Sequence, residues 1–241
     1  MKAFSACFVI LALFASASAQ TLPASVPTTQ PGVGNLPHIQ VDVKNKTVRM
    51  ECEALNITGT LEFLCCVKGP NEYESVLRSE VRPSHLHLAL LMIGLKPGAP
   101  IRYDEQEKKW LPPTGPALKM SIEYQKDGKT ITIPAERTMR EIKTKKPMPD
   151  VTWVFSGSKI MPGERYAADS TGYLVSVVNF ELTPVDFPVL ESNANETLLW
   201  ETDPDVCPPT DTKVTLIIEP ADKLKPPPAT TAPKTVPAQG E

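Results

Sequence analysis

Ile39-Gln-Val-Asp-Val-Lys-Asn-Lys-Thr-Val-Arg-Met-Glu-Cys-Glu-Ala54 is the stretch whose reading decides the fold. Ile39, Val41 and Val43 alternate with polar residues, Lys44-Asn45-Lys46 turns the chain, and Val48, Met50, Cys52 and Ala54 alternate again. Successive strand side chains point to opposite faces, so this pattern predicts an antiparallel hairpin with one face in a core.

The same period continues downstream. From Gly59, Leu61, Phe63, Cys65 and Val67 share one face, with Leu64 and Cys66 on the other. Tyr73–Val81 reads as a further strand ended by Pro83. Ser84 is placed to N-cap a helix over about 84–95, with Leu86, Leu90 and Ile93 on one stripe and Pro97-Gly98 as its stop. Residues 97–116 are proline-rich and read as a loop. Asp127-Gly128 between the alternating runs Leu118–Tyr124 and Thr130–Ile133 is a strong hairpin signal. Val151–Phe155, Gly172–Phe180 and Thr212–Glu219 read as strands, and Ser192–Trp200 as a short helix. The second of these strands is apolar at nearly every position, which predicts a central place covered on both faces. One clear helix among hairpins predicts a single α+β domain over 38–220, built on a mainly antiparallel sheet.

Outside that domain the composition changes. Residues 1–19 carry Lys2, an apolar run centred on Phe8–Phe14 and then Ala17-Ser18-Ala19, the order of a secretory signal peptide cleaved after Ala19. The run is shorter than the roughly 20 apolar residues that span a bilayer, and no later stretch reaches that length. Residues 20–37, rich in Pro and Thr, and 221–241, rich in Pro, Ala and Thr, bury too little apolar surface to offset chain entropy, so both are expected to be disordered. The chain is therefore expected in the periplasm or outside the cell.

A net charge of −3 and one short basic cluster, Lys143–Lys146, argue against nucleic acid as a partner. Cleavage would leave Cys52, Cys65, Cys66 and Cys207. An even count in an oxidising compartment invites disulfides. Cys52 and Cys65 both fall on apolar strand faces, and a tight turn near Thr58-Gly59 would set them opposite each other as the favoured pair. The spacing matches neither an iron–sulfur cluster, a Cys-x-x-Cys redox centre nor a zinc ribbon, so no cofactor is implied.

Several separated blocks together resemble the bacterial YdjY-domain family. They are Leu61-Glu-Phe-Leu-Cys65, Tyr73-Glu-Ser-Val-Leu77, Pro83-Ser-His-Leu-His-Leu-Ala-Leu-Leu91, Gly94-Leu-Lys-Pro-Gly98 and Trp153-Val-Phe-Ser-Gly-Ser158. Ala168-Asp169, Gly172, Val177-Val178-Asn179-Phe180, Trp200-Glu201 and Pro208-Pro209 follow in order. The resemblance covers most of 38–220. It implies a family without an established activity. A ferredoxin-like label attached to some members does not suit the cysteine spacing of this chain.

Candidate sites are few. Ser84, His85 and His87 lie at the start of the helix, where the positive end of the helix dipole favours an anion. Residues i and i+2 of a helix do not share a face, so His85 and His87 more naturally make local hydrogen bonds than a joint metal site. Glu74 and Glu80 are the nearest acidic residues before them. Asp169 before Ser170-Thr171-Gly172 reads as a turn residue. No Gly-x-Ser-x-Gly or His-Glu-x-x-His is present. The leading expectation is an exported, non-catalytic binding or scaffold domain whose partner is an envelope protein or a cell-wall polymer. The alternatives are a metal- or anion-binding protein or enzyme centred on Ser84–His87, and a thiol redox protein using Cys65 and Cys66.

Overall fold

The computed structural model describes residues 33–194 and 197–223. The expected signal segment, most of the N-terminal linker and residues 224–241 of the tail lie outside them.

The opening hairpin forms as its alternation requires. The strand Ile39–Asp42 pairs antiparallel with β1 (Thr47–Ala54), Ile39 opposite Met50 and Val41 opposite Val48. Asp42 Oδ1 accepts the Asn45 amide at 2.9 Å, and Lys46 takes a φ of 50°, which closes the turn. A further strand, Val33–Leu36, pairs outside Ile39–Asp42, so pairing starts ahead of the boundary expected at residue 38.

Seven more strands form the main sheet with β1. They are β2 (Phe63–Val67), β3 (Ser75–Ser79), β4 (Ala117–Lys126), β5 (Trp153–Phe155), β6 (Tyr173–Ser176), β7 (Val185–Asp186) and β8 (Lys213–Pro220). Their order is β1-β8-β4-β5-β7-β6-β2-β3, and β3 pairs back to β1 through Glu53–Arg78 and Ala54–Leu77. The sheet thus closes into an eight-stranded barrel. The α+β expectation is overturned: the described chain is mostly strand, with helices α1 (Pro83–Met92) and α2 (Ala167–Thr171) and a few single turns. The hairpins at Lys44–Lys46 and Asp127-Gly128 form as expected, but closure depends on the two-pair β1–β3 seam. β5 and β7 are too short to display a period. Two ring pairs, β2–β3 and β6–β7, are parallel, against the antiparallel rule followed by the others.

The interior is filled. Trp153, Met50, Leu64, Leu77, Leu118 and Ile122 have 3% exposure or less and share one core. The Trp153 indole N–H donates to Ser176 O at 2.9 Å. α1 packs on the strand Ile39–Asp42, on α2 and on β6, and adds Leu86, Ala89, Leu90 and Ile93 to that core. Its N-cap is Arg82, with Pro83 preset as the first helical residue, so Ser84 is not the cap. Gly94, at φ 88°, ends it: its N–H donates to Leu91 O and that of Leu95 to Leu90 O, a Schellman motif.

The Pro97–Pro116 segment is not a plain loop. Arg102–Asp104 and Lys109–Leu111 pair as a hairpin within it. Its base is pinned where Gly98 N donates to Phe155 O at 2.9 Å, and a Cβ on Gly115 would stand 2.1 Å from that oxygen. The Asp127-Gly128 turn joins β4 to Lys129–Pro134 as expected, both turn residues at positive φ. Of the short helix expected over Ser192–Trp200, the described part shows a single 3-10 turn at Thr197, whose N–H donates to Ala194 O at 2.8 Å. Trp200 instead begins the strand Trp200–Thr202, paired with Met139–Glu141; residues 195 and 196 lie outside the described residues.

Candidate functional site

The helix start is already occupied by the chain itself. Asp169, on α2, accepts the Ser84 amide through Oδ1 and the Arg82 guanidinium through Oδ2, both at 2.8 Å. The anion favoured by the helix dipole is thus supplied from within. Asp169 is an inter-helix cap, beyond the turn role expected for it. His87 is equally engaged. The Tyr166 hydroxyl directs its hydrogen to Gly157 O at 3.0 Å, so it accepts from His87 Nδ1 at 2.8 Å. The imidazole packs edge-on against Phe155 and Tyr166, and burial lowers its pKa. His85 is half-buried and its Nδ1 has no hydrogen-bond partner in the structure. Among the described residues no group of three His, Cys, Asp or Glu is placed to hold a metal.

Cys52, Cys65, Cys66 and Cys207 are free, buried thiols. Cys52 and Cys65 approach to 3.9 Å between sulfurs, well beyond the roughly 2.05 Å of a disulfide. They do not face each other across a hairpin as expected: β3 lies between their strands, with Leu77 opposite both Ala54 and Cys65. Burial pushes Cys66 and Cys207 up to about 12 and raises Cys65 as well. The redox reading of Cys65 and Cys66 needs an accessible thiolate, and burial opposes one at both positions.

Two of the surface recesses among the described residues concern function. The first, about 500 Å³, is lined by His38, Glu51, Glu53, Arg78, Glu80 and Lys213, with Cys52 at its wall. Its charges are matched: Arg78 pairs with Glu53, Glu72 and Asp211, Lys213 with Glu53, His38 with Glu51, and Lys68 with Glu80. Donation from Lys213 and then Arg78 holds Glu53 down at about 2. Such a network ties β1, β3 and β8 together and leaves little unmet charge for a ligand.

The second recess differs in kind. It holds about 800 Å³ and is lined by Ile101, Trp110, Tyr173, Asn179, Phe180, Leu190 and Glu191, with Glu181 and Leu182 beside them. This is the size of pockets that bury small ligands or ligand segments. Trp110 comes from the hairpin in the Pro97–Pro116 segment, is 50% exposed, and is met edge-on by Tyr103 at 5.5 Å. Phe63, fully buried yet apart from the barrel core, stacks on Phe180 at 5.1 Å and tilts against Tyr173 at 4.6 Å, while Tyr173 and Phe180 meet at 4.9 Å. Asn179 locks the far wall. Its Nδ2 donates to Phe187 O at 2.9 Å and to Asp186 Oδ1, and its Oδ1 accepts the Glu191 amide at 2.8 Å. Asp186 itself is fully buried, accepts from Ser176 and the Phe187 amide, and is pushed by burial to about 6.

Carboxyls crowd this face. Near Tyr173, Glu62 and Glu74 lie close enough to act on each other, and Glu74 acts on Tyr73 as well. Desolvation, with the neighbouring Glu74 charge second, raises Glu62 to about 7. Desolvation likewise raises Glu74 and Glu191. In the sequence Glu74 stands out only, with Glu80, as one of the nearest acidic partners for His87, and the groove is not visible there. Its residues come from four separate segments, and one of these was read as structureless.

The barrel and its flanking groove define a closed-barrel β protein with an external aromatic recess. A family model described as the YdjY domain matches residues 39–219, and the chain belongs to that family. The resemblance drawn from the sequence blocks is thereby confirmed. No curated protein and no solved structure matches the chain.

Proposed function

We propose that this is an exported, non-catalytic binding protein of the bacterial envelope, which holds a cell-wall polymer in the groove between Trp110 and Tyr173–Phe180. The observation that carries the reading is the groove: solvent-facing rings on a barrel whose own interior is packed. Exposed Trp and Tyr gain by covering an apolar body while keeping a polar edge wet, which suits a mobile polymer better than a fixed core. Export is supported by the order of residues 1–19, a basic residue, an apolar run and Ala-x-Ala.

The test is co-sedimentation of the exported protein with purified wall polymer, next to Trp110→Ala. Trp110 is half-exposed on a hairpin, so its removal leaves the barrel core untouched. Binding that falls about tenfold in the variant supports the reading, the loss of one aromatic anchor being on the order of 1–2 kcal/mol. Equal binding by both proteins overturns it. Turnover of the polymer that one substitution abolishes would overturn the non-catalytic part. The intact mass of the exported protein checks cleavage before Gln20.

A further inference from the structure

We infer that the moiety anchored in the groove is an organic ammonium group, held among the rings of Trp110, Tyr173 and Phe180 beside the carboxyl of Glu191, with Glu62, next to Phe63 behind those rings, as a second negative charge. The inference rests on the groove being the binding surface, and goes further by naming the chemistry of what enters it.

Three aromatic residues line one recess. Ring faces carry negative potential, and a weakly hydrated cation placed over them is attracted, the more so when it leaves water. The carboxyls reinforce this. Glu181 is balanced by an ion pair with Lys159. Glu191 feels desolvation, with no cation offsetting it. Glu62 and Glu74 act on each other, with Tyr73 and Tyr173 near the pair, and among the described residues no lysine or arginine charge lowers either carboxyl. The hairpin that brings Trp110 also carries Arg102, Lys108 and Lys109, but Lys108 and Lys109 pair with Glu105 and Glu107 of their own hairpin turn.

An anionic ligand would meet these carboxyls unfavourably. A neutral one would leave the repulsion between the charges of Glu62 and Glu74 unrelieved. A bare divalent metal needs several oxygen, nitrogen or sulfur donors at one point. The described residues present no cluster of three His, Cys, Asp or Glu for it. An ammonium carried on carbon satisfies both features, its charge meeting the carboxyls and its methyl or methylene groups meeting the rings.

Binding should then be linked to protonation. The cation favours the ionised form of Glu62, so its arrival releases a proton where that carboxyl is still protonated. The ionised fraction of a group titrating at about 7 rises about 30-fold from about pH 5.5 to about pH 8, which sets the ceiling for the gain in affinity. Affinity therefore climbs with pH, although the ligand's own charge is fixed.

The experiment titrates the full-length exported protein with choline and with dimethylbutanol, the neutral alcohol in which carbon replaces the charged nitrogen. Trp110 fluorescence and amide shifts of 173–191 report binding. Choline is expected to bind about tenfold tighter than the alcohol at about pH 8, and the preference to shrink toward about pH 5.5. Glu191→Gln and Glu62→Gln should each reduce choline affinity severalfold while the alcohol binds as before. Urea unfolding verifies that both variants are folded. Equal binding of choline and the alcohol, or a preference unchanged in both variants, overturns the ammonium inference and leaves the groove reading standing. Loss of polymer binding in Trp110→Ala is the separate result on which the groove itself depends.

Discussion

Leu77→Ala tests whether the barrel is closed. Leu77 is fully buried in β3, with Ala54 of β1 as its Cα partner on one side and Cys65 of β2 on the other. Removing three carbons forfeits about 2.4 kcal/mol of transfer free energy at about 0.8 per methylene. The residual cavity adds to this, and measured Leu→Ala changes in cores run from about 2 to 5 kcal/mol. A loss of about 3 kcal/mol is a large share of the roughly 5–15 available to a domain, and lowers Tm by about 6–12 °C at this size. Urea unfolding followed by tryptophan fluorescence measures it. Hydrogen exchange provides a second readout at the same seam, where the Leu55 amide donates to Val76 O at 2.9 Å. In a closed barrel that amide exchanges about as slowly as the core strands, whereas at an open sheet edge it would exchange quickly. A loss below about 1 kcal/mol together with fast exchange at Leu55 would refute the closure argument.

Two other outcomes follow from burial. Asp186 is raised from an ordinary 3.8 to about 6, so the group supports the fold fully below about 3.8 and loses that contribution as pH rises through about 6. Asp186→Asn has no such carboxyl, so wild type should lose stability relative to it between about pH 4 and pH 6; parallel urea midpoints across that window would contradict the assignment. Iodoacetamide should leave Cys52, Cys65, Cys66 and Cys207 unmodified in the native protein at neutral pH and label all four after unfolding in urea. Mass spectrometry reads this directly, and rapid native labelling of Cys65 or Cys66 would revive the redox reading.

Local pairing was legible because it is written in adjacent residues. The Ile39–Ala54 hairpin, the Asp127-Gly128 turn, the buried stripe of Leu86, Leu90 and Ile93 and the last strand all formed where the period placed them. Closure was not legible. It rests on Ala54 meeting Leu77 and Glu53 meeting Arg78, a choice between strand edges that alternation alone does not make. The same gap produced the mistaken geometry for Cys52 and Cys65: both were rightly placed on apolar faces and the strand at 75–79 was expected, but not its position between theirs. The groove was the least visible feature. Proline content hid the hairpin that carries Trp110, since Pro112, Pro113 and Pro116 cluster immediately after it.

One local signal did point outward. β2 reads Phe-Leu-Cys-Cys-Val, and four of its five residues are buried, so it is covered on both faces. In a barrel one face of a strand looks into the core, and a second buried face needs cover from outside. Here that cover comes from Tyr173 and Phe180, which stack on Phe63 and then turn their remaining surface to the groove. The demand for burial at Phe63 thus places two aromatic rings on the exterior, next to the desolvated carboxyls of Glu62 and Glu74. The packing that completes the barrel also builds the surface to which binding is assigned. Phe63→Leu should accordingly weaken ligand binding along with stability, whereas Leu77→Ala should affect stability alone in the fraction that stays folded.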